Sequence, residues 1–265
     1  MRNLMLTFVL PLIAFSALLS ADQPDPRKLM EAVENRDDGD RMIAQMEMIL
    51  IDKAGHQRVR KMQRFNMDKG EDTYSLIFFL EPADVEDTGF LTYDYDDPEK
   101  DDDQWLFLPA LKKSKRIASS DKSGSFMGSD FTYADMTTKE TENYDYTLVK
   151  QAEVRGHDTW IIQAIPRTQE EKEETGYTKA LLFVRPDINM VVRAVYYVDN
   201  GDLKYFDIPE LKEIDGIWTA LEIQMTTKKG KVTYHQTILK NHNTRYNQKE
   251  VSDDLFTVRR LEKGL

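Results

Sequence analysis

Residues 178–208 read TKALLFVRPDINMVVRAVYYVDNGDLKYFDI. Three runs rich in Val, Leu, Phe and Tyr are separated by RPDIN and by DNGD. Aromatic and β-branched residues suit a pleated surface, and Pro, Asp, Asn and Gly supply the backbone angles of tight turns. Parallel neighbours need a crossover of a dozen or more residues, so connections this short leave only antiparallel hairpins. The stretch predicts three consecutive strands of one antiparallel sheet.

The same grammar extends in both directions. MIAQMEMILI, residues 42–51, places Met42, Ala44, Met46, Met48 and Leu50 on one side, and RVRKMQRFNM follows after the turn DKAGHQ. Arg58, Arg60 and Arg64 share one face of that strand if its alternation holds. TYSLIFFL, TGFLTYDY and QWLFLP continue the series, and YDYTLVKQAEV, HDTWIIQAIP, IWTALEIQMTT and KVTYHQTILKN complete it in the second half. Further hairpin loops are RGHD, IDG and KKGK. Trp105, Trp160 and Trp218 fall in separate strands, where core packing is their ordinary use. No linker or shift of composition divides the chain, so one domain over residues 22–265 is expected.

About a dozen hairpin-joined strands make a large antiparallel sheet with one apolar face that needs cover. Cover is scarce. DPRKLMEAVENR predicts a short helix, with Asp25 as N-cap, Pro26 at its first position, and Leu29, Met30 and Val33 on one face. The other candidate is SGSFMGSDFTYADM, residues 123–136, which fits neither period yet carries Phe126, Met127, Phe131, Tyr133 and Met136. Gly124 and Gly128 permit tight turns there, and Ser129 or Asp130 is positioned to cap a short helix through TYADM. The segment serves either as a hinged cover or as a fixed plug. Alternation alone leaves open whether the sheet closes on itself as a sandwich or curves into an incomplete barrel around a cavity.

At the N-terminus, Arg2 precedes an apolar stretch over residues 4–19, and Ser20 and Ala21 are small. This is the pattern of a cleavable signal peptide over residues 1–21, too short and Pro-interrupted for a spanning helix. The 265-residue chain has no cysteine, which excludes disulfides and thiol chemistry, and its net charge of −11 opposes general binding to nucleic acid. Lys112, Lys113, Lys115 and Arg116 form a local basic patch. Their partners would be lipid phosphates, an acidic protein surface or the rim of a cavity; otherwise they line a solvated edge strand.

Little points to catalysis. His56, His157, His235 and His242 show no metal-binding spacing, no GxSxG elbow or Gly-rich phosphate loop occurs, and the carboxylates are too numerous to single out a pair. The acidic DYDDPEKDDDQW lacks the glycine and terminal glutamate of a calcium-binding EF-hand loop. A solvated loop is the better reading. Neither a catalytic residue, a cofactor nor a structural metal is expected.

WLFLPALKKSKRI followed by SFMGSDFTYADM resembles the signature of the outer-membrane lipoprotein-sorting proteins, in the LolA/LolB superfamily of periplasmic carriers. FFLEPADVEDTGFLTYDY upstream and IDGIWTALEIQM and VSDDLFTVRRLEKG downstream fit the same family, so the resemblance spans nearly the whole mature chain. It implies a single large curved antiparallel sheet, an unclosed half β-barrel, with short helices as a lid over an apolar cavity. It further implies a non-enzymatic, periplasmic carrier or chaperone of the Gram-negative envelope. Acyl chains of a lipid or lipoprotein would be the cargo, and an inner-membrane RND-type exporter a partner. The alternative is an adaptor or sensor subunit with a filled core. The cavity and lid candidates are Phe126, Met127, Phe131, Tyr133 and Met136, together with Trp105 and Phe107 on the preceding strand.

Overall fold

The computed structural model describes residues 23–97 and 99–265; the expected signal peptide lies outside the described residues. The first half of the chain forms β1 (Met42–Asp52), β2 (Gln57–Lys69), β3 (Asp72–Glu81), β4 (Gly89–Asp94), β5 (Asp103–Leu108) and β6 (Lys113–Arg116). The second half forms β7 (Tyr144–Val154), β8 (His157–Pro166), β9 (Tyr177–Arg185), β10 (Met190–Val198), β11 (Leu203–Ile214), β12 (Ile217–Lys229) and β13 (Val232–Arg245). Among the described residues, three short helices accompany them: α1 (Pro26–Glu34), α2 (Gln169–Thr175) and α3 (Val258–Lys263).

All thirteen strands join one antiparallel sheet in the order β6-β5-β4-β3-β2-β1-β13-β12-β11-β10-β9-β8-β7. The chain meanders outward from β1 to the β6 edge, crosses to the β7 edge, and meanders back until β13 pairs with β1. Of the two architectures that alternation left open, the structure adopts the curved, unclosed half-barrel. The turns follow the chemistry expected of tight hairpins. Arg155-Gly156 and Asp215-Gly216 all have positive φ, the requirement of a two-residue turn matched to strand twist.

Alternation decides which side chains meet. On β1, Ala44, Met46, Met48 and Leu50 are buried, and Met46 and Met48 pack with Met62, Ile77 and Phe79 on the inner face. On β3 the run Leu76, Ile77, Phe78, Phe79 is buried throughout, which requires cover on both faces. Ile77 and Phe79 face inward; Leu76 and Phe78 face outward against Val251, Phe256 and Leu261. The C-terminal segment is thus a third cover element, unforeseen in the sequence pattern. Thr257 caps α3, and Gly89 admits its close approach, since a Cβ there would lie 2.5 Å from Leu261 Cδ1.

α1 forms as its residues dictate. Asp25 accepts the Arg27 backbone N–H at 2.9 Å, Pro26 starts the helix, and Met30, Leu29 and Val33 pack over β7–β10. Arg27 donates to the Tyr144 carbonyl at 2.8 Å, and the Thr141 N–H donates to Glu34 Oε1 at 2.8 Å. These bonds fix the helix on the inner face of the second half. α2 is the other unforeseen element; its signals were Thr168, which caps through Glu171 N–H, and Gly176, which ends it with φ of 75°.

Candidate functional site

Residues 117–143 carry the chain from one sheet edge to the other, inside the concavity. Their short 3-10 turns follow from local chemistry. Met127 and Gly128 both have positive φ, which turns the chain sharply enough for the Phe126 N–H to bond the Phe131 carbonyl at 2.8 Å. The expected cap of the TYADM turn is corrected. Thr132 fills that role in a reciprocal capping box with Asp135. Asp130 is instead consumed by the sheet: its buried carboxylate accepts from Thr227 Oγ1 at 2.5 Å, Thr237 Oγ1 at 2.7 Å and His235 Nδ1 at 2.6 Å.

Five further contacts hold the crossing segment. Arg60 on β2 donates to the Met127 carbonyl and stacks over Phe79. Gln104 Nε2 donates to the Tyr133 carbonyl at 2.9 Å. Tyr177 donates to Asp135 at 2.8 Å, and the Thr138 N–H donates to Asp94 at 2.9 Å. At the segment's start, buried Lys122 pairs with Glu174 of α2 at 2.5 Å.

Two apolar spaces remain on the inner face. The larger, about 310 Å³, lies between α1 and the second half of the sheet. Met30, Val33, Leu182, Val191 and Phe206 supply apolar wall, Tyr144, Tyr146, Tyr177 and Tyr196 a belt of phenols, and Glu34, Arg36, Asp38, Lys139 and Lys179 charge. The smaller, about 160 Å³, lies under the crossing segment. Phe126, Phe131 and Met136 line it from above, opposite Met46, Met48, Ile223 and Leu239.

Burial shapes the electrostatics. It raises the Tyr144, Tyr177 and Tyr196 phenols above their usual range, so they stay neutral hydrogen-bonding groups. Burial lowers Lys204, whose Nζ lies 3.5 Å from the Tyr177 hydroxyl. At the far end of the segment, burial followed by the charge of Asp102 lifts Asp94 to about 6. Burial followed by the charge of Glu34 lifts Glu140 to about 8.

The sequence-derived candidates divide. Phe126 and Phe131 are 2% and 4% exposed, and Met127, Tyr133 and Met136 pack against the same inner cluster. Trp105 and Phe107 do not join them. Their parity on β5 sends Leu106 and Leu108 inward and leaves Trp105 and Phe107 on the outer face with the C-terminal segment. Lys112, Lys113, Lys115 and Arg116 lie on and beside the edge strand β6, away from both spaces; Lys115 pairs with Asp121 and Arg116 with Asp103. The walls of the larger space went unrecognised, because its tyrosines sit on three strands and come together only through the curvature of the sheet.

A family model described as an uncharacterized protein family matches residues 71–263. A DUF1329 family protein from Desulfovibrio piger is 30% identical over 90% of this chain and 100% of that one, with a TM-score of 0.80. The chain belongs to the DUF1329 family. A chain described as an outer membrane lipoprotein-sorting protein domain, from Vibrio parahaemolyticus, is 31% identical over 89% of this chain and 98% of that one, with a TM-score of 0.80. The LolA superfamily protein of Nitrosomonas europaea is 16% identical, with 89% and 99% coverage and a TM-score of 0.66, and shares the fold. No curated protein matches the sequence. Among the described residues, no helix is long and apolar enough to cross a membrane.

Proposed function

We propose that the protein is a carrier of the bacterial envelope that shelters an acyl chain of a lipid or lipoprotein. In this reading residues 1–21 direct export to the periplasm, residues 22–265 form the mature binding domain, and no reaction is catalysed. The observation that carries it is the 310 Å³ largely apolar space between α1 and the sheet, which the surrounding side chains leave unfilled. Each buried methylene is worth about 0.8 kcal/mol, so a long chain gains on the order of 10 kcal/mol against water. A bilayer offers nearly the same, which leaves transfer between membrane and protein close to balanced. Direction then comes from a partner, and an RND-type exporter is the one proposed.

The crossing segment serves as the lid in this scheme, with Phe126, Met127, Phe131, Tyr133 and Met136 as its apolar underside. Deep burial of Phe126 and Phe131 favours a second reading for the first half of the sheet, a fixed plug such as an adaptor subunit would have. Native mass spectrometry of protein taken from the periplasm, followed by uptake of a fluorescent fatty acid, decides between them. A copurifying lipid and saturable uptake support the carrier. Ligand-free protein that takes up no probe refutes it.

A further inference from the structure

The two inner spaces share a wall. Among the described residues, Phe206 on β11 is the one that lines both. Its ring packs against the cluster under the crossing segment and against the cluster under α1. Its cross-strand neighbours are Ala194 on β10 and Met225 on β12. Ala194 carries nothing beyond its Cβ, so on that flank the ring shares the boundary only with Tyr196, which packs against the same two clusters from β10. Beyond Phe206 the smaller space is walled mainly by Met46, Met48, Ile223 and Leu239, with Arg64 and Asp135 also in its lining, and the apolar share is large enough to receive a hydrocarbon end.

Resting on the reading of the α1 space as an acyl-chain site, we propose that Phe206 is a specificity-determining residue that sets the length of chain accepted. The ring closes the 310 Å³ space against the 160 Å³ space beyond it. While a growing chain finds room, each added methylene raises affinity about fourfold, the equivalent of its transfer free energy. Once the chain end meets the ring, further methylenes remain in water or displace the phenyl group from its packing, and affinity stops rising. Removing the ring joins the spaces and moves that limit outward.

The test uses the whole mature chain and a series of saturated fatty acids of increasing length, read by displacement of a fluorescent fatty acid. The wild type is expected to reach a plateau. Phe206→Ala reaches its plateau at least two methylenes later, with affinity rising about fourfold for each methylene past the wild-type limit. Phe206→Trp, which keeps the barrier, plateaus no later than the wild type. Coincident plateaus in wild type and Phe206→Ala, with short-chain affinity intact, overturn the proposal. Should Phe206→Ala not fold, Phe206→Leu against Phe206→Trp makes the same comparison, and a shared plateau again overturns it. A wild type that binds chains without any plateau defeats the barrier alone; a wild type that binds no chain of any length defeats the acyl-chain reading and the barrier with it.

Discussion

Phe126→Ala asks whether the crossing segment is part of the global core. The ring is 2% exposed, and its centroid lies 4.9 Å from Phe90, 5.7 Å from Tyr133 and 6.3 Å from Phe79. Truncating a fully buried phenylalanine costs about 3–5 kcal/mol, combining lost transfer free energy with the cavity left behind. Loss of the aromatic contacts places the expected value in the upper part of that range, since each such pair is worth about 0.5–1.5 kcal/mol beyond its area. The full cost appears in global unfolding only if the segment stays docked until the sheet melts. A lid that opens readily by itself caps the loss at its own opening free energy. Urea unfolding followed by tryptophan fluorescence should therefore show a lower midpoint at unchanged m, with Tm falling by about 6–20 °C. Val149→Ala, at an exposed position of β7, serves as the control and should stay within about 0.5 kcal/mol. A loss below about 1 kcal/mol for Phe126→Ala at unchanged m would refute the view that the segment is integral to the core.

Asp130→Ala leaves His235, Thr227 and Thr237 without their buried partner, and a loss of about 3–5 kcal/mol is expected, with faster amide exchange over residues 126–136. Unchanged exchange there would show that the carboxylate does not hold the segment. Gly89→Ala pushes a Cβ toward Leu261, so α3 should loosen and limited proteolysis should trim the C-terminus sooner than in the wild type; equal trimming rates would count against the contact. The pH dependence follows from Asp94 and Glu140, whose folded values, about 6 and about 8, lie above those of an unfolded chain. The folded state then binds more protons than the unfolded one between about pH 4 and pH 8, so these groups make stability fall as pH rises through that window. Glu140→Gln, at a half-buried and partly screened site, should raise Tm by about 2–4 °C at pH 8.5 and by little at pH 4. An equal effect at both pH values would contradict the raised Glu140.

Much of the architecture was written in local chemistry. Strand alternation such as that of Met46, Met48 and Leu50, the positive-φ turn at Arg155-Gly156, and the cap and proline of α1 depend on neighbours a few residues apart, so they survive translation into one dimension. The same logic found the apolar side chains of residues 123–136. It failed for α3, whose apolar Val258 and Leu261 are too few for a periodic signal, and for Trp105 and Phe107, where choosing the inner face required knowing which side the crossing segment covers. Asp130 was misassigned for a related reason: a carboxylate beside a turn is a natural cap until Thr227, Thr237 and His235, about a hundred residues away, offer it more hydrogen bonds.

The sequence by itself determined that the chain is a hairpin-joined antiparallel sheet with scarce cover, because period and turn chemistry are local. Only the tertiary structure decided where the unfilled space lies. Its larger part sits under α1 and the smaller beneath Phe126 and Phe131, because curvature packs those rings against the sheet and gathers tyrosines from β7, β9 and β10 around a void that no single segment encodes.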